Sequence, residues 1–228
     1  MLRADMLPAR QALIEAAQAM AARGLSAGTS GNVSLRTEQG ILITPSATPY
    51  EALTPEMIPL LKPDGTYEGR YRPSSEWRFH LDIYLARPEI GGVVHHHAPY
   101  TTALAMARRE IPACHYMIAR FGGAPLRLAA YALFGTAELS ANVLAALEGC
   151  TACLMENHGG IAVGRDVATA LAAATELEVL AQQYTLSLAA GGPVLLSDDE
   201  VQAAVRQFAT AYRANTGGRG DDERKVSM

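Results

Sequence analysis

Ser30-Gly31-Asn32-Val33-Ser34-Leu35-Arg36-Thr37-Glu38-Gln39-Gly40-Ile41-Leu42-Ile43-Thr44 is the stretch on which the fold turns. It reads as two short extended segments, Ser30–Leu35 and Ile41–Thr44, parted by the turn signal Glu38-Gln39-Gly40. A third extended segment, Met57–Leu61, follows before the turn Pro63-Asp64-Gly65. Upstream, a helix is predicted from Pro8, where proline suits a first turn, through Leu13, Ala17 and Met20 to a stop at Gly24. Downstream, Ser74 or Ser75 is expected to cap a helix with Glu76 in its first turn and Phe79, Ile83 and Leu85 as its apolar face. Beyond Pro88 the pattern alternates. Strands are predicted at Gly92–His97, Leu126–Tyr131 and Ala152–Met155, and helices at Pro99–Arg109, Ala137–Leu147, Val167–Ala189 and Asp198–Tyr212, the last opened by Ser197. Strands clustered first and helices interspersed later give an α/β class with a central, mainly antiparallel sheet flanked by helices. No linker divides the chain, so a single domain is expected over residues 1–213, with a flexible C-terminal tail over 214–228.

Composition narrows the function. Of 228 residues, 19 are Lys or Arg and 23 are Asp or Glu, a net charge of −4 that excludes a polyanion binder driven by bulk charge. At 49% hydrophobic the chain is too apolar for disorder. Three cysteines are too few for a disulfide framework and point to a reducing compartment. Met1-Leu2-Arg3-Ala4-Asp5 does not read as a secretory leader, and the best candidate for a long apolar stretch, Leu177–Ala190, is broken by Glu178, Gln182, Gln183, Tyr184 and Ser187. A cytoplasmic protein with neither nucleic acid nor membrane as partner is therefore expected.

Six histidines are present, and His95, His96 and His97 are consecutive at the end of a strand. Side chains two apart share a face of a strand, so His95 and His97 can converge on one ion while His96 points away. His158, in Met155-Glu156-Asn157-His158-Gly159-Gly160, is a third candidate ligand, followed by glycines that allow a tight turn. Neutral imidazoles suit zinc or a similar divalent ion, and three ligands leave a position open for substrate. The spacing alone fits ordinary core or surface histidines equally well. Glu76 is either a surface carboxylate favoured by a helix dipole or, beside a metal, a general base. Ser74 and Ser75 offer hydroxyls at a helix start that suits an anion. Gly28-Thr29-Ser30-Gly31-Asn32 is either an ordinary turn or a phosphate-wrapping loop. Cys150 and Cys153 form a lone C-x-x-C that reads as structural.

Taken together, several segments resemble the class II aldolases of the L-fuculose-1-phosphate aldolase type, in their order and spacing. They are Gly28-Thr29-Ser30-Gly31-Asn32-Val33-Ser34, Ile43-Thr44-Pro45, Pro73-Ser74-Ser75-Glu76-Trp77-Arg78-Phe79-His80, Val93-Val94-His95-His96-His97-Ala98, His115-Tyr116-Met117 and Asn157-His158-Gly159. The resemblance runs from the first helix to about Tyr212. It implies Zn2+ on His95, His97 and His158, with Mn2+ and Co2+ as alternative ions, and Glu76 as catalytic acid/base. It further implies that Thr29, Gly31, Asn32, Ser46, Ala47, Ser74 and Ser75 hold a substrate phosphate. Tyr116 would reach into a neighbouring subunit's site in a homotetramer, and Phe208 and Tyr212 would form a C-terminal lid. The implied reaction is reversible cleavage of a ketose 1-phosphate, L-fuculose 1-phosphate or a related 5-deoxy or methylthio pentulose phosphate, to dihydroxyacetone phosphate and an aldehyde. Sugar-phosphate 4-epimerases, sugar-acid phosphate decarboxylases and the metal-free adducin-like binding module belong to the same superfamily and are the alternatives. The chain departs from the family pattern at Ala47, where the aldolases have glycine, at His96 and at Glu156.

Overall fold

The computed structural model describes residues 6–217, with side chains described as far as residue 210. In chain order its elements are α1 (Leu7–Ala22), β1 (Asn32–Thr37), β2 (Gly40–Ile43), β3 (Leu60–Leu61), β4 (Tyr67–Glu68), α2 (Trp77–Ala86) and β5 (Gly92–His96). Then follow α3 (Pro99–Met106), β6 (Leu128–Ala129), α4 (Ala137–Ala146), β7 (Ala152–Met155), β8 (Gly159–Gly164), α5 (Val167–Ala189) and α6 (Asp198–Gly217). The strands form one eight-stranded sheet in the order β4-β3-β2-β1-β5-β8-β7-β6. Every pairing is antiparallel except β6 with β7.

Helices cover both faces, so central strands are apolar on successive residues rather than alternating with polar ones. Leu35, Val94, Leu154 and Ala162 pack under α1, α3 and α5, while Ile43, Val93, Met155, Ile161 and Val163 pack under α2 and α4. Side-chain caps set several helix starts. Thr136 accepts from Leu139 N–H ahead of α4, Asp166 accepts from Thr169 N–H ahead of α5, and Ser197 and Glu200 satisfy each other at the start of α6.

The structure corrects several expectations. Met57–Leu61 is a strand only over Leu60–Leu61, because Pro55–Met57 form a 3₁₀ turn. Ser75 does not cap α2, and Ser74, whose Oγ accepts from Glu76 N–H at 3.3 Å, lies two residues ahead of the N-cap. The N-cap is Glu76 itself, without a side-chain capping bond, since its carboxylate is turned into the protein. Leu85, placed on the apolar face, is 58% exposed, and His80, Leu81 and Tyr84 are buried beside Phe79 and Ile83 instead. Leu126–Tyr131 contributes only a two-residue strand. Gly159 and Gly160 do not make a turn; they open β8, a strand the sequence reading passed over because glycine carries no hydrophobic signal. Helix α6 continues to Gly217, into the segment expected as tail, and residues 218–228 lie outside the described residues. No helix among the described residues is long and apolar enough to cross a membrane.

The sheet's glycines are needed for close approach. A Cβ at Gly92 would lie 2.5 Å from both Asp166 O and Val167 Cα, backbone atoms at the start of α5 that cannot swing aside. Gly92→Ala is therefore expected to destabilise the fold by about 2–3 kcal/mol, as overpacking against backbone does, read as a lower urea midpoint at unchanged slope.

Candidate metal centre and anion pocket

Antiparallel register brings the candidate donors together. β1 pairs Asn32 with His95, and β8 pairs Gly160 with His96, so β1's start and β5's end meet the β7–β8 hairpin loop at one end of the sheet. His158 sits in that loop, which turns at Asn157 with φ of 53°, a left-handed backbone that asparagine tolerates. At Gly159 an added Cβ would lie 2.3 Å from His96 O and 2.8 Å from the His97 ring. Only glycine lets the loop approach β5 this closely.

Glu76, His95, His97 and His158 each offer a ligand atom, and these atoms all lie within 4.8 Å of one another. Glu76 Oε2 is 3.2 Å from His95 Nε2, Glu76 Oε1 is 3.2 Å from His158 Nε2, and His95 Nε2 is 3.0 Å from His97 Nε2. His95 donates from Nδ1 to the Gly160 carbonyl at 2.9 Å, which turns its Nε2 lone pair toward the cluster. Burial, aided by His95 and His158 and opposed by Glu76, lowers His97 to about 4, so it is neutral at pH 7. Burial works to raise the Glu76 carboxyl, but His95 and His158 outweigh it and hold the group below the usual carboxylate range. Imidazole lone pairs converging beside a carboxylate repel one another unless a cation or proton stands between them. Glu76 Oε1 is moreover buried without a hydrogen bond. The donor set and this orphaned oxygen fit a divalent metal.

Outward from the cluster opens a cavity of about 410 Å³. Every residue implied for phosphate binding lines it: Thr29, Gly31, Asn32, Ser46, Ala47, Ser74 and Ser75. Backbone bonds tie these segments into one wall, since Ser74 N–H donates to Thr44 O and Ser46 N–H to Arg72 O, both at 3.0 Å. The loop before β1 is held by Tyr50, whose hydroxyl lies 2.9 Å from Ser30 O and 2.7 Å from Gly31 O. Gly31, at φ of 75°, has no room for a Cβ, which would lie 2.7 Å from His95 O. Ala47 keeps the backbone glycine would take, at φ of 51°, and is exposed, so the departure adds backbone strain without closing the pocket. Glu156 accepts from Tyr131 N–H at 3.1 Å and so anchors the opposite wall.

Other expected residues lie elsewhere. Tyr116 is 54% exposed and stacks on Phe208 at 6.2 Å between ring centroids; neither lines this cavity. Tyr212's side chain lies outside the described residues. His96 points to the opposite face and accepts from Ala98 N–H. The three cysteines are free thiols. The sequence reading missed Tyr131 and Phe134, which line the cavity, and Tyr50, which holds its loop; none of them stands in a motif that marks it.

The family model described as class II aldolase and adducin N-terminal domain matches residues 11–185, and the chain belongs to that family. The 5-methylthioribulose-1-phosphate/5-deoxyribulose-1-phosphate aldolase of Rhodospirillum rubrum is 48% identical over 201 residues, 88% of this chain and 91% of that protein. The L-fuculose phosphate aldolase of Escherichia coli (strain K12) is 46% identical over 203 residues, 89% of this chain and 94% of that protein. A solved structure of L-fuculose 1-phosphate aldolase superposes with a TM-score of 0.86 at 36% identity, covering 92% of this chain and 98% of that one. With such relatives along nearly its whole length, the chain is an enzyme of the aldolase branch.

Two measurements check this geometry. His97→Ala should lose bound divalent metal by elemental analysis, whereas His96→Ala should keep it. Ala47→Gly should raise stability by about 1 kcal/mol in thermal unfolding, by relieving the left-handed strain.

Proposed function

We propose that this chain is a zinc-dependent aldolase that reversibly cleaves a ketose 1-phosphate to dihydroxyacetone phosphate and an aldehyde. The substrate is L-fuculose 1-phosphate or a related 5-deoxy or methylthio pentulose 1-phosphate, as the names of the relatives suggest. One observation carries this reading: a single cavity has a His/Glu donor cluster at its inner end and a wall of hydroxyls and loop backbone at the other. That spacing suits a molecule with chelating oxygens at one end and a phosphate at the other.

His95, His97 and His158 would hold the cation, which when bound supplies positive charge for the ketone and adjoining hydroxyl oxygens. Thr29, Ser46, Ser74 and Ser75, with the backbone at Gly31 and Ala47, grip the phosphate, and its binding energy orients the reacting carbons. Glu76, deprotonated and adjacent to the cluster, moves the proton on the dihydroxyacetone phosphate carbon. Tyr116 takes the hydroxyl proton in cleavage and returns it in synthesis. Its exposure away from its own chain's cavity supports service to a neighbouring subunit, and so a homotetramer with sites between subunits. Binding an anion through amides and hydroxyls also accounts for a phosphate enzyme without excess Lys or Arg.

Incubation with dihydroxyacetone phosphate and a panel of aldehydes, followed by mass analysis, should yield ketose 1-phosphates. Chelation should abolish the reaction and Zn2+ restore it; no condensation with any aldehyde would reject the reading. Glu76→Gln should retain metal yet lose at least about a hundredfold in kcat, the usual worth of general acid/base catalysis. Tyr116→Phe should also be impaired, and refolding it together with Glu76→Gln should recover activity, because some sites then combine an intact Glu76 with a neighbour's intact Tyr116.

A further inference from the structure

Beneath Glu76 a line of buried polar groups runs into the core between the sheet and α2, and the aldolase reading assigns it no role. Asn32 Nδ2 donates to Glu76 Oε2 at 3.0 Å. Asn32 Oδ1 is hydrogen-bonded to His80 Nε2, Ser34 Oγ lies 2.7 Å from His80 Nδ1, and Tyr84 Oη lies 2.9 Å from Ser34 Oγ. Asn32, Ser34, His80 and Tyr84 are all buried, from 0% to 3% exposed, so no water competes for these bonds.

The proton positions follow from one end. A carboxylate only accepts, so the Asn32 amide must present its NH₂ to Glu76 and its oxygen to His80. His80 must then donate from Nε2, leaving Nδ1 to accept. Ser34 must donate to Nδ1, and its oxygen accepts from Tyr84. Every donor therefore points toward Glu76. The amide could stand the other way only if the whole line reversed, and the carboxylate has no proton to start it.

We propose that Ser34, His80 and Tyr84 are positioning residues that lock the orientation of the Asn32 amide and so make the two oxygens of Glu76 unequal. Oε2 is held by Asn32, while Oε1 is buried with no hydrogen bond and faces the metal cluster and cavity. Oε1 is the oxygen that carries the proton. Asn32, expected among the phosphate-binding residues, thus acts through its side chain on Glu76. The proposal rests on the acid/base reading of Glu76.

The test has two arms. In protein labelled with ¹⁵N-histidine, His80 should be a single neutral tautomer protonated at Nε2, with or without bound metal, and Ser34→Ala should mix the two tautomers. In steady-state cleavage, Ser34→Ala should lower kcat about tenfold, the worth of one buried hydrogen bond, with KM within about twofold and metal content per chain unchanged. Tyr84→Phe removes a single oxygen and should give about a threefold fall in kcat, so the arm survives should Ser34→Ala not fold. A His80 protonated at Nδ1 or doubly protonated, an unchanged kcat in both variants, or a loss of kcat that merely tracks loss of metal would overturn the proposal. An active Glu76→Gln would instead sink the acid/base reading, and the tautomer arm would still decide the orientation of the line.

Discussion

The antiparallel pairing of β5 with β8 is the contact on which the rest depends. It places His95 and His97 beside the loop that carries His158, and it stacks α5 across the sheet on the other face. Gly159 and Gly160 face His96, His97 and Thr101 with no space for a Cβ, and Gly92 and Gly164 do the same against the start of α5. The price is that β8 begins with residues that bring no hydrophobic burial, and Ile161, Ala162 and Val163 must hold it in place.

Electrostatics at the sheet end follow from that closeness. Three imidazoles and a carboxylate crowded within 4.8 Å make sense as a cage for a cation. The same crowding shapes the groups around it: burial keeps His97 neutral, and His95 and His158 keep Glu76 ionised. One step further in, His80 is pushed down to about 3, by burial first and His95 second, with Glu76 opposing, so the line behind Glu76 is composed of neutral groups. A neutral, fully bonded line can be buried at low cost, whereas a second buried charge there would need its own partner.

Much of this was legible before any coordinates. The β1–β2 hairpin, the helix at Val167–Ala189 and the strand at Ala152–Met155 carry period and capping signals strong enough to read directly. His95 and His97 two apart on a strand, with His96 between them, state their own geometry. Other features left no local trace. β8 is hidden by its glycines, Leu85 has the right spacing but is left exposed, and Ser75 looks like a cap although it lines the pocket. Tyr50 and His80 act on residues 19 to 48 positions away, and no spacing rule reaches that far.

The sequence by itself therefore determined the class of fold, the ligand types and the family, because each is written in short-range pattern: alternation, caps, and a few chemically committed side chains in fixed order. The tertiary structure alone decided which oxygen of Glu76 the Asn32 amide holds, which residues wall the pocket, and that Tyr116 stands away from its own chain's cavity. Those depend on close approach between strands and on hydrogen bonds between distant segments, and such contacts exist only once the sheet has closed.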